Sequence, residues 1–205
     1  MNYPSTHLEN VINELSKLPG VGSRTALRFA LYLLNEDKTE VEKLASSLLK
    51  LKKEVKLCKH CFSISDMDEC DVCRDPKRNH KLICVVENIR DVMAIENTNA
   101  YNGVYHVLGG VISPIDGISA NDIHIKELIE RIVNEDIEEI ILALPTTMEG
   151  DMTCFYINKL VKNMRVKVSA IARGVSIGDN IEYTDEVTLS RSILNRLPFE
   201  KIYQH

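Results

Sequence analysis

Cys58-x-x-Cys61, eight intervening residues and Cys70-x-x-Cys73 form a pair of pairs whose spacing suits one tetrahedral metal ion. Thiolates about 2.3 Å from zinc make a closed site with no open coordination position, which is structural rather than catalytic. A knuckle of about 20 residues has too little core to fold alone, so the ion would supply its stability. One structural zinc ion per chain is expected. A thioredoxin-like redox pair and two disulfides are the competing readings. Neither pair is expected to open a helix after a strand, as the redox motif would. His60 and His80 could also ligate, although four cysteines leave them no vacancy, and Cys84 and Cys154 read as core residues.

A second chemistry lies in Leu18-Pro19-Gly20-Val21-Gly22. Two glycines permit a tight turn that aims successive N–H groups at one point, and a following helix adds its positive end, so such a turn can hold a phosphate without reading a base. Arg24 and Arg28, four apart, share one helix face within reach of neighbouring phosphates. The plainer alternative is a helical hairpin turn with solvated arginines. Lys50, Lys52, Lys53, Lys56 and Lys59 make a second basic cluster, which reads as a solvated helix face.

Glu87 follows an apolar run, and Glu149-Gly150-Asp151 lies in the expected loop after another. Carboxylates on two such loops can meet above a sheet and bind Mg²⁺. The alternative has Asp151 or Thr153 capping the next helix and Glu87 merely exposed. Gly109-Gly110 and Ser113-Pro114-Ile115-Asp116-Gly117 mark a long loop of the kind that binds something. The sequence has no phosphate-loop string, no nucleophile elbow and no His-Glu-x-x-His, which leaves common hydrolase chemistries without a motif.

The elements that must carry these groups follow from hydrophobic periodicity. Leu8, Val11, Ile12, Leu15 and Leu18 predict a helix over 6–18, opened by Thr6 with Glu9. Further helices are expected from Ser23 to Leu34 and from Thr39 to Val55. Then come short apolar runs, Leu82 to Val86, Val104 to Leu108, Ile140 to Leu144 and Val166 to Ile171, interleaved with helical stretches near 88–97, 121–134, 151–163 and 185–196. Strands alternating with helices imply a parallel sheet covered on both faces, with sites at the carboxyl ends of its strands. The expected fold is α/β with a small N-terminal all-helical helix-hairpin-helix part, a four-cysteine knuckle and a parallel-sheet domain.

Charge divides along the chain. Residues 1–81 carry 14 Lys and Arg against 12 Asp and Glu, while residues 82–205 carry 11 against 18. A phosphate-binding face therefore belongs to the N-terminal part, and its field must be local because four thiolates on a dication would add about −2. The start, MNYPSTHLEN, lacks a basic region followed by an apolar run, and no stretch nears the ~18 apolar residues of a membrane span. A cytoplasmic protein is expected, where grouped cysteines favour metal over disulfides.

In this order the motifs closely resemble the bacterial recombination mediator family RecR over essentially the whole chain. The resemblance rests on Leu-Pro-Gly-Val-Gly at 18–22, the four cysteines, Val-Val-Glu at 85–87, Gly-Gly-Val-Ile-Ser-Pro-Ile-Asp-Gly at 109–117, and Pro-Thr-Thr-Met-Glu-Gly at 145–150. Ala-Arg-Gly-Val at 172–175 and Glu-Tyr-Thr-Asp-Glu-Val-Thr-Leu at 182–189 extend it. The resemblance implies a helix-hairpin-helix region over 1–56, a zinc finger over 57–80, a Toprim-like domain over 81–175 and a Walker-B-like, oligomerising segment over 176–205. It implies a ring-shaped homo-oligomer, a tetramer, that clamps DNA and works with RecO and RecF to load recombinase onto single-stranded DNA. The family's basic hairpin residues map onto Arg24 and Arg28, and its acidic partner-contacting loop onto Glu87, Glu149 and Asp151. Two departures stand out. Catalytic Toprim enzymes carry Asp-x-Asp where this chain has Pro145, Thr146 and Thr147, which weakens the alternative of an Mg²⁺-dependent nuclease or topoisomerase-like enzyme. Leu144-Pro145 also replaces the more frequent Asn-Pro.

Overall fold

The computed structural model describes residues 3–176 and 178–198. It forms two compact units, one running to Val55 and the other from Lys56 onward. The last seven residues of the expected C-terminal segment lie outside the described residues.

In the first unit, α1 (Thr6–Leu15), α2 (Ser23–Asn35) and α3 (Lys38–Glu54) follow one another. The α1/α2 pair closes over Ile12, Ala26 and Ala30, with Leu8, Leu15, Val21 and Leu27 packed around them. Two buried alanines on α2 let the helices approach closely at little cost in side-chain entropy. Three sequence expectations shift here. Ser5, not Thr6, caps α1, its side chain accepting from the Leu8 N–H. The helix stops at Leu15 rather than at 18, where the Ser16 hydroxyl donates to Ile12 O and the chain turns toward Pro19. Asp37, not Thr39, precedes α3. Neighbouring polar residues fit the capping pattern equally well, and the backbone angles choose between them.

The second unit opens with a segment that periodicity did not reveal. A two-stranded antiparallel hairpin, β1 (Lys56–Leu57) with β2 (Ile64–Ser65), leads into a one-turn helix α4 (Asp71–Arg74). Then come β3 (Asn79–Val86), α5 (Ile89–Glu96), β4 (Gly103–Val107), α6 (Ile125–Asn134), β5 (Glu139–Ala143), α7 (Met148–Val161), β6 (Lys167–Ala170) and, after a short 3₁₀ turn, α8 (Glu186–Leu194). The sheet order is β4-β3-β5-β6 and every pairing is parallel.

Alternation along the central strands sorts their side chains into two layers. Ile83, Val85, Val104, Ile140 and Leu142 face α6 and α7 through Leu128, Ile132, Ile157 and Val161. Cys84, Val86, Tyr105, Val107 and Ala143 face the other way, toward Val92 of α5, and there Phe62 and Val72 of the cysteine segment join them. The knuckle thus covers part of a sheet face that a second helix would otherwise cover. Fully burying a side chain such as Ile83 or Leu128 contributes roughly 1.5–3 kcal/mol.

Two helix starts differ from expectation. α6 begins at Ile125 rather than 121, because the Asp122 carboxylate accepts from both the Ser119 N–H and hydroxyl, holding 119–122 in a turn. α7 begins at Met148 because Thr147 caps it, accepting from the Gly150 N–H at 3.1 Å. Glu149, Gly150 and Asp151 therefore belong to the first turn of a helix, not to a loop. Gly150 is required there, since a Cβ would lie 2.0 Å from Pro145 O.

Candidate metal centre and nucleic-acid interface

The four cysteines converge. Their sulfur atoms all lie within 4.8 Å of one another, and Cys61 Sγ is 3.5 Å from Cys70 Sγ. Tetrahedral thiolates around zinc would sit about 3.8 Å apart, so the donor set fits one ion. All six cysteines are free, which removes the reading of two disulfides. The loop brings backbone donors to the sulfurs, with Cys70 N–H on Cys58 Sγ at 3.4 Å and Cys73 N–H on Cys70 Sγ at 3.5 Å. Hydrogen bonds from Cys61 and Cys73 draw the Cys70 thiol well down, while bonding to Cys70 pushes Cys61 up. Four thiolates this close would repel one another, and a dication held among them offsets that repulsion. Contrary to expectation, the second pair does open a helix, the single turn α4, which Cys70 caps.

The centre is welded to the sheet. Val107 N–H donates to Cys61 O at 2.8 Å. Phe62, held at φ 60°, stacks on His124 with ring centres 3.8 Å apart and meets His106 edge-on at 5.4 Å. Arg131 of α6 is buried and donates through Nη1 to Tyr105 O at 2.8 Å and to His60 O at 3.5 Å, while its Nε reaches Glu135. His106 donates from Nε2 to His124 O at 2.7 Å, and its buried Nδ1 has no partner. Burial pushes the His106 pKa down to about 3, so the ring stays neutral. Spacing pointed to the cysteines alone. Phe62, His106 and Arg131 carried no motif, because their roles exist only once the knuckle is docked.

In the first unit the expected glycine turn is present. Gly20 stands at φ +78°, and Val21 N–H donates to Leu18 O at 3.0 Å. Gly22 is the N-cap of α2 and has no side chain to satisfy the first-turn amides, which leaves them facing outward. Arg24 and Arg28 follow on one exposed face, and neither forms an ion pair with a described residue. A Cβ at Gly22 would meet no described atom within 4 Å, so packing among the described residues does not require glycine there.

The three carboxylates at the carboxyl end of the sheet are not gathered. Among the described residues, the only group of three or more Cys, His, Asp or Glu side chains close enough to share an ion is the cysteine set. Asp151 is engaged by Arg173 at 2.6 Å and Arg191 at 3.5 Å, and the Arg173 hydrogen bond holds its carboxyl below the usual range. Both arginines come from the segment after β6, so Asp151 fastens that segment to α7. Arg173 lies in the Ala-Arg-Gly-Val string, yet nothing local in that string names its partner. Glu87 and Glu149, each half-buried, keep their carboxylates outside any ion pair with a described residue. Among the described residues, no helix is long and apolar enough to cross a membrane.

A helical hairpin followed by a parallel sheet with a four-cysteine knuckle defines a class of modular α/β proteins. Comparison with known families agrees with the hairpin and with the sheet: residues 8–52 match the family described as RecR, helix-hairpin-helix, residues 81–172 the Toprim domain, and residues 174–197 the RecR C-terminal family. The chain is 56% identical over 197 residues to Recombination protein RecR of Bacteroides fragilis, covering 96% of each chain. It is 51% identical to that of Flavobacterium psychrophilum over the full length of both, and 54% identical to that of Porphyromonas gingivalis across 96% of this chain and 95% of the relative. The chain belongs to the RecR family of recombination proteins.

Proposed function

We propose that the protein is a non-enzymatic DNA clamp of recombinational repair, acting in the cytoplasm with RecO and RecF to load recombinase onto single-stranded DNA. The observation that carries this reading is the glycine turn with Arg24 and Arg28 exposed on one face of α2 and outside any ion pair with a described residue. Gly20 and Gly22 let the backbone amides approach a phosphate, and the two arginines hold its neighbours.

Such a hairpin makes only a few phosphate contacts, enough for weak and salt-sensitive binding. A ring of copies, expected to be a tetramer, raises the effective concentration of the remaining hairpins once one is engaged. α3, which buries none of its residues and exposes Leu44, Leu48 and Leu51, supports an assembly in which another chain covers that face. Zinc at Cys58, Cys61, Cys70 and Cys73 serves as the structural ion of the knuckle. Glu87 and Glu149 serve as acidic contacts for a protein partner. The pairing of Asp151 with two arginines speaks for a fastening role rather than for a share in a magnesium site.

Replacing Arg24 and Arg28 together by alanine should weaken binding to an oligonucleotide and flatten its salt dependence, lowering the slope of log K against log salt by about 2 for each hairpin engaged. Fluorescence anisotropy across a salt series reads both effects. An unchanged slope would remove the hairpin from the DNA interface.

A further inference from the structure

The loop between β4 and α6 has a shape that the acidic carboxylates alone do not explain. Ile115 stands at its tip with 92% of its surface exposed, and Met148, in the first turn of α7, is 81% exposed. Beside the loop lies a cleft of about 410 Å³ lined by Ile112, Pro114, Ile118, Ala120, Met152 and Tyr156.

This loop is braced. Ser113 and Ile118 exchange two backbone hydrogen bonds of 3.0 and 2.8 Å, and the Ser113 hydroxyl donates to Asp116 at 2.5 Å. Gly117 takes φ +73° to close the turn. The buried Thr153 hydroxyl accepts from the Ile112 N–H at 2.9 Å and donates to Glu149 O at 2.7 Å. Gly109 N–H meets Glu87 O at 2.9 Å. The first residues of the loop are therefore tied both to Glu87 and to the turn that carries Glu149. An apolar side chain held out on a braced loop loses little freedom when a partner closes on it, which is the condition for an efficient anchor.

Charge selects the occupant. Residues 103–125 and 140–158 hold Asp116, Asp122, Glu149 and Asp151 and not one Lys or Arg. Of these four, only Asp151 forms an ion pair with described residues, Arg173 and Arg191. A second copy docking through this same surface would set carboxylates against carboxylates. We infer that Ile115 and the adjoining cleft are the apolar anchor of the protein-partner dock, and that the partner is a basic surface with its own protruding apolar side chain beside a pocket. Ile115 fills the pocket, the partner's side chain enters the cleft, and Glu87 and Glu149 meet lysines or arginines at the rim. This inference rests on the partner-docking reading above.

The test is titration of the full-length protein with RecO from the same bacterium, comparing wild type with Ile115→Ser and Glu149→Gln at low and high salt. Ile115→Ser should leave melting unchanged, because the side chain is exposed, and weaken binding about tenfold or more at both salt concentrations. Glu149→Gln should weaken it by about two- to fivefold at low salt, the difference shrinking as salt rises. If wild type and Ile115→Ser bind alike, the anchor is overturned while the acidic dock stands. Absence of RecO binding by wild type would overturn both. If Ile115→Ser alters only the self-assembled mass, the surface belongs to copies of this chain and the inference fails.

Discussion

The turn at Gly20–Gly22 and the turn at Gly150 use the same residue for opposite ends. Nothing lies within 4 Å of a Cβ at Gly22, whereas one at Gly150 would collide with Pro145 O at 2.0 Å. The contrast extends to the units that hold them. The helical unit buries Ile12, Ala26 and Ala30 and leaves α3 with no buried residue. The sheet unit encloses two apolar layers and counts the cysteine knuckle among its covering elements. Gly22 in the first unit has open space beside it, and Gly150 in the second lets the unit's own parts touch. The metal centre follows the second logic, since through Cys61 O and Phe62 it joins the packing of the sheet.

Removing the metal should give the largest effect on this contrast. Cys61→Ser, or stripping the ion with a strong chelator, is expected to cost about 4 kcal/mol or more, read as a lower urea midpoint by far-UV circular dichroism, with one equivalent of zinc released. The loss should reach the sheet, because Phe62 and Val72 cover one of its faces. A chelated protein with undiminished sheet stability would break the comparison.

The glycines give the next effect. Gly150→Ala should cost about 1–3 kcal/mol by overpacking against Pro145. Gly22→Ala should cost less than about 1 kcal/mol while reducing DNA affinity, so stability and binding measured on both variants should separate. Equal destabilisation would mean that Gly22 serves internal packing after all.

The smallest effect concerns pH. Arg173 holds the Asp151 pKa below that of the unfolded chain, so this carboxylate stabilises the fold above about pH 4 and loses its contribution as pH falls through the depressed value. Asp151→Asn should therefore lower stability at neutral pH and flatten the decline below pH 4, as followed by thermal melting across pH. A variant curve parallel to wild type would remove the Asp151 link to the segment after β6.

Much of the site could be read without a structure, and the reasons differ by residue. Cys58, Cys61, Cys70 and Cys73 declare themselves because a ligand set crowded into a short segment is a local pattern. The turn at Gly20 and Gly22, with Arg24 and Arg28 on one face of the next helix, is a local pattern in the same way, and its role toward DNA is a proposal. The Leu82–Val86 run read as a strand because its sheet is buried on both faces. Local reasoning failed at Thr147, where Asp151 and Thr153 looked like equally good caps, and at β1 and β2, whose two residues each are too short to show a period. Nor could it tell whether Asp151 joins Glu87 and Glu149 or caps a helix, and the structure pairs it with Arg173 and Arg191.

Composition and spacing along the chain determined the class of fold, the cysteine cluster and the glycine turn, because each depends on residues a few positions apart whose geometry the backbone itself imposes. Only the tertiary structure decided that the knuckle covers a sheet face, that Asp151 belongs to Arg173 and Arg191, and that Ile115 projects from a braced loop. Those outcomes depend on which of several chemically suitable partners is brought within reach. That choice is made by packing between segments far apart in sequence.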